Sequence, residues 1–344
     1  MSSLIPNINK NFLQELFSAK DEDSIKRPDN RSIKEYRQIT INHITSSYNS
    51  PIKVSIGNSI IFSQINSKLV QPRTDRPSEG IISFQVDTHH LKPSADFTSS
   101  NEALTEFRIS INNILEKCLK ESHALDTNIL CVIPGKLVWK VIVDISVIKN
   151  DGNIFDVAII AALTSWLTYK IPFFRMKEGE LYYESFINLT TIHIPICITH
   201  GIFLKKDKNE KVIFILDNTL EEESVMSGNV SICSNIFGEI NYIQMNTEAR
   251  ISLDDMEELI GTMENNVTFI HNIIKKFVEN ENKRVDKIIN TMKISEKREQ
   301  NYENNMENNK SEDNKKEVIN MMEIEENIEK NINILEYKKC FYNA

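Results

Sequence analysis

The stretch Trp139 to Leu167, WKVIVDISVIKNDGNIFDVAIIAALTSWL, constrains this 344-residue chain more than any other. In its first half Val141, Val143, Ile145 and Val147 alternate with Lys140, Ile142, Asp144 and Ser146. A period of two in a run rich in β-branched residues predicts a strand. Asn150-Asp151-Gly152-Asn153 then supplies turn chemistry. From Asp156 through Val157, Ile159, Ile160, Ala162, Leu163, Trp166 and Leu167, the sequence is apolar nearly all round a helix, which predicts a buried one. Asp156 falls where an acid would favour the helix dipole. The turn therefore sits where two elements end, a place where sites are often built.

Before this unit, Phe12, Leu13, Leu16 and Phe17 predict a short amphipathic helix docked on the body or on a neighbour. Val54 to Phe62 predicts a hairpin with a Gly57-Asn58 turn, its second strand continuing to Val70, and Ile81 to Val86 predicts the next strand. The loop between them, QPRTDRPSEG, carries Arg73 and Arg76. These are candidates for phosphate contact; the plain alternative is two solvated arginines. His89 and His90 are neighbours on an extended segment and point apart, so a shared metal ion is not expected. Asn101 to Glu121 predicts a helix with an apolar stripe from Leu104 to Leu119.

After the unit, Pro172 is expected to break the helix. Strands are expected at Ile192 to Ile198, Val212 to Leu216, Val230 to Cys233 and Ile240 to Gln244, then a helix from Leu253 to Val278. The acids of Asp217 to Glu223 could face a metal or cap a solvated turn; the turn is preferred. Asn301 to Lys316, mostly Asn, Glu, Lys and Asp, is expected to be disordered. Val318 to Leu335 regains helical spacing, as a partner-binding or merely solvated helix.

A formal net charge of −9 argues against a free-standing nucleic-acid binder with a broadly basic surface. Any RNA contact must be local or shared with partner chains. Five cysteines without a CxxC pair speak against a zinc site or a disulfide frame and suit a reducing compartment. No apolar run approaches the roughly 18–20 residues of a membrane span, so a soluble intracellular protein without membrane contact is expected.

Several segments together resemble the RNase PH family and, within it, the noncatalytic ring subunits of the eukaryotic RNA exosome. They are RPDNRSIKEYR from Arg27, RTDRPSEGI, EKCLKESHALDT, GKLVWKVIVDI, NDGNIFDVAIIAAL, IHIPIC and LEEESVMSG. The likeness runs from about Phe12 to Arg284. Val138-Trp139, the NDGNIFD turn and the long polar tail favour one of three sister subunits, the one that pairs with the chain carrying the remaining phosphorolytic-type face.

The resemblance implies an α+β, RNase PH-like fold (ribosomal protein S5 domain 2-like) of two mixed sheet and helix subdomains. The expected segments are an N-terminal arm at 1–26, a first domain at 27–172, a second at 190–284 and a low-complexity tail at 285–344. In catalytic relatives, strand acids serve metal and proton chemistry and a turn arginine holds phosphate. Here Asp151 and Gly152 match, but Phe155 stands at the arginine position and Ser146 at a strand carboxylate. Asn113 replaces a helix arginine, Lys117 and Lys120 keep only charge at two others, and Asn246 to Arg250 replaces a Gly-Gly turn. Lysine lacks arginine's bidentate fork, and both lysines are otherwise ordinary solvated side chains.

The implied role is a noncatalytic subunit, with no cofactor and no metal, that lines the RNA channel of a hetero-hexameric ring with cap proteins. Arg73, Arg76 and Lys117 would touch RNA, and associated hydrolytic ribonucleases would degrade it, in nucleus, nucleolus and cytoplasm. The alternative is an active phosphate-dependent 3′-to-5′ exoribonuclease in which Arg108 or Arg250 reaches the Asp151 pocket. A third reading is a scaffold that touches no RNA and works through its tail.

Overall fold

The computed structural model describes residues 7–17, 27–45, 49–91, 97–177, 180–204, 212–247 and 249–306. The alternating stretch forms β6 (Leu137–Lys149), an inner strand of the first sheet. It pairs antiparallel with β3 (Ser59–Val70) and parallel with β4 (Ile81–Asp87). β1 (Ile39–His43) and β2 (Ile52–Ile56) complete the order β1-β2-β3-β6-β4, and β5 (Cys131–Ile133) also pairs with β6. The odd-numbered residues Val141, Val143, Ile145 and Val147 are all buried, as the period of two requires.

The second sheet is ordered β10-β9-β11-β12, from β9 (Ile196–Leu204), β10 (Val212–Leu216), β11 (Gly228–Ser234) and β12 (Ile240–Thr247). Between the sheets runs α3 (Ile154–Thr168), with Val157, Ile160, Leu163 and Trp166 buried. One continuous hydrophobic core joins β6 and α3 to Ile198 and Ile202 of β9 and Ile232 of β11. It also takes in Ile270 and Ile274 of α5 (Leu253–Met306). A helix apolar on every side is stable only where both faces are covered, and the two sheets cover both. A smaller cluster seats α1 (Asn7–Phe17): Leu13 and Phe17 pack with Ile33, Phe203, Ile213 and Ile215, while Phe12 stays exposed.

Several boundaries differ from the expectation. α3 ends at Thr168, before Pro172, and the Asn49 amide holds both the N–H and the carbonyl of Lys170. Pro172 lies inside β7 (Lys170–Lys177), which forms a two-stranded hairpin with β8 (Glu180–Asn188). A strand of a two-stranded sheet has a free edge, where a missing N–H is harmless. β9 begins at Ile196 instead of Ile192, immediately after Pro195, and Ile192 is exposed. The helix expected at Asn101–Glu121 is α2 (Phe97–Leu115) followed by a π-helical turn, Glu116–Glu121.

α5 runs past Val278 and past the composition change at Lys287, so Asn301 to Met306 are helical instead of disordered. Asn, Glu and Lys carry no helix break of the kind Pro imposes, and the segment contains no Pro. The rest of that low-complexity run and the spacing at Val318 to Leu335 lie outside the described residues. The cysteine expectation is also corrected. Cys118, on the π-helical turn, and Cys233, on β11, form a disulfide with a Cα–Cα distance of 6.5 Å. They are 115 residues apart, and tertiary packing alone brings them together. Cys131 and Cys197 are free thiols.

Two motifs far apart in the chain lock to one another. Arg27 donates through Nε to Glu222 at 2.8 Å, and its Nη2 pairs with the other Glu222 oxygen. It also donates to the carbonyls of Leu216 and Asp217 at 2.8 and 2.7 Å. Arg37 donates to both oxygens of Asp217, at 2.9 and 2.8 Å, and Arg31 reaches the same carboxylate at 3.1 Å. Burial raises the Asp217 carboxyl, but the hydrogen bonds and charge of Arg37 outweigh that and hold it below its ordinary value. Glu222 belongs to the short helix α4 (Leu220–Glu223), where it forms a capping box with Thr219. The acids of this segment thus do cap a turn, but Glu222 is buried against Arg27 and not solvated. Asn30, at φ +65°, takes the left-handed backbone that lets the opening motif turn inward.

Removing Arg27 leaves a buried carboxylate without its partner. Arg27→Ala should lower unfolding free energy by about 3–5 kcal/mol. Arg27→Met combined with Glu222→Leu, which removes both charges, should recover most of that loss. Urea unfolding of the three proteins checks this; a single-variant loss below about 1 kcal/mol would show the pair to be as weak as a surface ion pair.

Candidate functional site

The turn that joins β6 to α3 is pinned from three sides. Ser59 Oγ accepts from the Asp151 N–H at 2.9 Å and donates to the Gly152 carbonyl at 2.7 Å. Arg37 donates to the Asp151 carbonyl at 2.8 Å and the Gly152 carbonyl at 3.3 Å. Leu220 donates its N–H to the Asp151 carbonyl at 3.1 Å. Gly152 has φ +86°, and a Cβ there would lie 2.4 Å from the Asn218 carbonyl oxygen. Both the backbone sign and the close approach of the second motif call for glycine.

Asn153 follows at φ +54° and opens α3. Its N–H donates to Glu223 Oε1 at 2.8 Å, and its amide donates to Asp156 at 3.0 Å and Asp217 at 2.8 Å. The crowding walls push the Glu223 carboxyl up to about 7; the Asn153 N–H and Arg37 oppose this, and Asp217 and Asp151 add to it. The outer side of this side chain is open to water, which tempers the rise. Asp156 is fully buried and is more than a helix-dipole partner. It accepts from Thr199 N and Oγ1 at 3.2 and 2.8 Å, from Asn153 and from the Tyr36 hydroxyl at 2.9 Å. Burial outweighs these donors and raises its carboxyl to about 6.

Beside this turn lies a recess of about 350 Å³. Phe107 and Ser110 of α2 form one wall, and Asn150, Asn153, Ile154 and Phe155 form the floor at the turn. Thr199, Asn218, Glu223, Met226, Gly228, Asn229, Gln244 and Asn246 close the side toward the second sheet. Among the described residues, no lysine or arginine lines it, and Glu223 is its one carboxylate. Phe155, at the position where the family resemblance would place a phosphate-holding arginine, is half-buried in the floor. Arg108 and Arg250 are exposed and do not line the recess. The arginine that does reach Asp151 is Arg37, but its donors are engaged by Asp217 and by the carbonyls of the turn. Periodicity could not reveal that role; the motif RPDNRSIKEYR was its one signal.

Asp144 and Ser146 share the β6 face opposite the buried valines, and neither borders the recess. Burial raises the Asp144 carboxyl, against a 2.5 Å hydrogen bond from Asn66. Arg73 and Arg76 are exposed on the loop between β3 and β4, and Arg76 pairs with Glu79 at 3.1 Å. The far end of that loop is tied down by Gly80 N–H to Thr127 O at 3.0 Å and by Gly135 N–H to Pro77 O at 2.9 Å. Lys117 lies on the π-helical turn with Nζ 5.5 Å from the Tyr242 ring centroid, a cation–π contact with β12. His89 pairs with Asp87 two residues back, and the neighbouring His90 is exposed.

Residues 35–172 match the RNase PH family, described as the 3′ exoribonuclease family, domain 1. The chain is similar to exosome complex component RRP45A of Arabidopsis thaliana, at 34% identity over 63% of this chain and 70% of that protein. It is also similar to exosome complex component RRP45 of Danio rerio, at 30% identity over 78% of this chain and 67% of that protein. Exosome complex component Rrp42 of Methanothermobacter thermautotrophicus is 28% identical over 75% of this chain and 91% of its own length. Among solved structures, a chain of an archaeal exosome core aligns with a TM-score of 0.60 at 20% identity. It covers 79% of this chain and 96% of its own, a likeness of fold.

The raised Asp156 carboxyl has a stability consequence of defined sign. The folded state holds this proton to about pH 6, the unfolded chain only to the ordinary aspartate value of 3.8. Stability from this group is therefore highest below pH 4 and falls as pH rises to 6, by on the order of 2–3 kcal/mol. Asp156→Asn lacks the titration, so the gap in unfolding free energy between wild type and variant, from urea unfolding, should change by that amount between pH 4 and pH 7. A constant gap would mean that the carboxylate is charged in the fold throughout.

Proposed function

The chain belongs to the RRP45-type branch of the RNase PH-like exosome ring subunits, and on that footing we propose that it is a noncatalytic wall of an RNA channel. The observation that carries the reading is the charge of the recess beside Gly152. Phosphorolysis needs an inorganic phosphate held near the RNA 3′ end and electrostatic help for the leaving group. An anion taken from water into a pocket must meet cations or hydrogen-bond donors there. This pocket offers an aromatic ring at Phe155, and the Glu223 carboxylate already occupies the Asn153 N–H at the start of α3. The guanidinium that reaches the turn, Arg37, is engaged in holding it.

The same reading assigns the exposed cations to the RNA backbone. Arg73 and Arg76 on one tied loop, with Lys117, would contact phosphates without reading sequence, which suits a channel that must accept many RNAs. The partners are sister subunits of a six-membered ring with its cap proteins, RNA, and associated hydrolytic ribonucleases that perform the cleavage. The setting is nuclear, nucleolar and cytoplasmic RNA processing and decay.

Purified full-length chain given an RNA oligomer and inorganic phosphate should release no nucleoside diphosphates; phosphate-dependent release would overturn the noncatalytic reading. In the ring assembled by co-expression with sister subunits, Arg73→Glu with Arg76→Glu should reduce RNA crosslinking several-fold without loss of subunits. Unchanged crosslinking would return both arginines to the solvated surface.

A further inference from the structure

We propose that the recess beside the Asn150–Asn153 turn is a binding pocket for an uncharged, hydrogen-bonding ring with the chemistry of a nucleobase. The proposal rests on the RNA-facing role above and adds a ligand class to the recess, which that role leaves without one. Three independent observations carry it.

The first is size. A volume of about 350 Å³ lies within the range of roughly 300–1,000 Å³ of small-molecule sites. The second is charge. The N-terminus of a helix, with its free N–H groups, ordinarily attracts an anion. At α3 the N–H of the capping residue Asn153 is taken by the chain's own Glu223, and among the described residues the lining carries no lysine or arginine. A phosphate entering here would meet no cationic side chain, only the Glu223 carboxyl and an aromatic ring. A neutral ring meets no such opposition.

The third is hydrogen-bonding chemistry. Asn229 of β11 and Asn246 of β12 are direct cross-strand partners, and both border the recess. Among the described residues, neither side-chain amide has a hydrogen-bond partner. An amide presents a donor and an acceptor side by side, the arrangement found along the edge of a base. Phe107 on one wall and Phe155 in the floor supply aromatic surface of the kind against which unstacked bases settle. Ring faces, paired amides and an excluded anion together describe a site for a base and not for its phosphate.

Calorimetric titration of the full-length chain with adenosine, cytidine, guanosine and uridine tests this, with side-chain amide NMR of 15N-asparagine-labelled protein. At least one nucleoside should bind saturably, with Kd on the order of 1 mM or tighter, and shift the Asn229 and Asn246 signals. Asn229→Ala with Asn246→Ala should weaken that binding about tenfold while the thermal melting curve stays in place. Inorganic phosphate or sulfate at the same concentration should leave the signals where they are. The proposal is overturned if no nucleoside binds, if phosphate binds in preference, or if the double variant binds like the wild type. Phosphate-dependent release of nucleoside diphosphates would sink the noncatalytic role itself, so the two failures are distinguishable.

Discussion

The structure depends on three arginines near its beginning gripping two carboxylates near residue 220. Arg27 is buried against Glu222, and Arg37 and Arg31 share Asp217. Buried ion pairs add little net stability beyond what an apolar filling would give, because desolvation offsets the attraction. Their weight lies in what happens when one partner is missing. A half-pair leaves a buried charge, so an arrangement in which the opening motif docks anywhere else is strongly disfavoured. The network therefore fixes which surface of the second sheet faces the turn at Gly152.

The turn shows how one scaffold serves different ends. Arg37 stitches the Asp151 and Gly152 carbonyls to Asp217, so the guanidinium that reaches the turn is structural. Glu223 accepts the N–H of Asn153, the residue that caps α3, and Asp156 is buried among four donors one turn inward. Each of these contacts is local chemistry within reach of the turn. Together they leave a recess whose polar groups are amides and hydroxyls, with one carboxylate at its mouth. Phe155 alone would make the floor apolar; Glu223 in addition takes the N–H of Asn153, the residue that caps the helix.

Some of this was legible residue by residue. The period of two in β6 and the all-round apolar α3 have no other low-energy arrangement than a half-buried strand and a sandwiched helix. Asp-Gly and Gly-Asn pairs marked both turns because few residues accept positive φ. Pro172 misled, because its effect depends on whether its neighbour strand lies on one side or both. The polar run after Lys287 misled as well, since composition reports the lack of a core-facing stripe and not the lack of helix. The recess was harder still. Its lining comes from α2, the turn, β9, the α4 region, β11 and β12, and side chains that distant carry no shared periodicity.

The amino-acid sequence by itself determined most of the elements, the turn and the aromatic ring at Phe155 beside it, because these are properties of neighbours along the chain. Tertiary structure alone decided that Arg37 would be spent on Asp217, that Glu223 would sit on Asn153, that Cys118 would meet Cys233, and that Asn229 and Asn246 would stand side by side at a recess. Those are distances between residues far apart in sequence. Only the packing of α3 between two sheets converts sequence separation into contact.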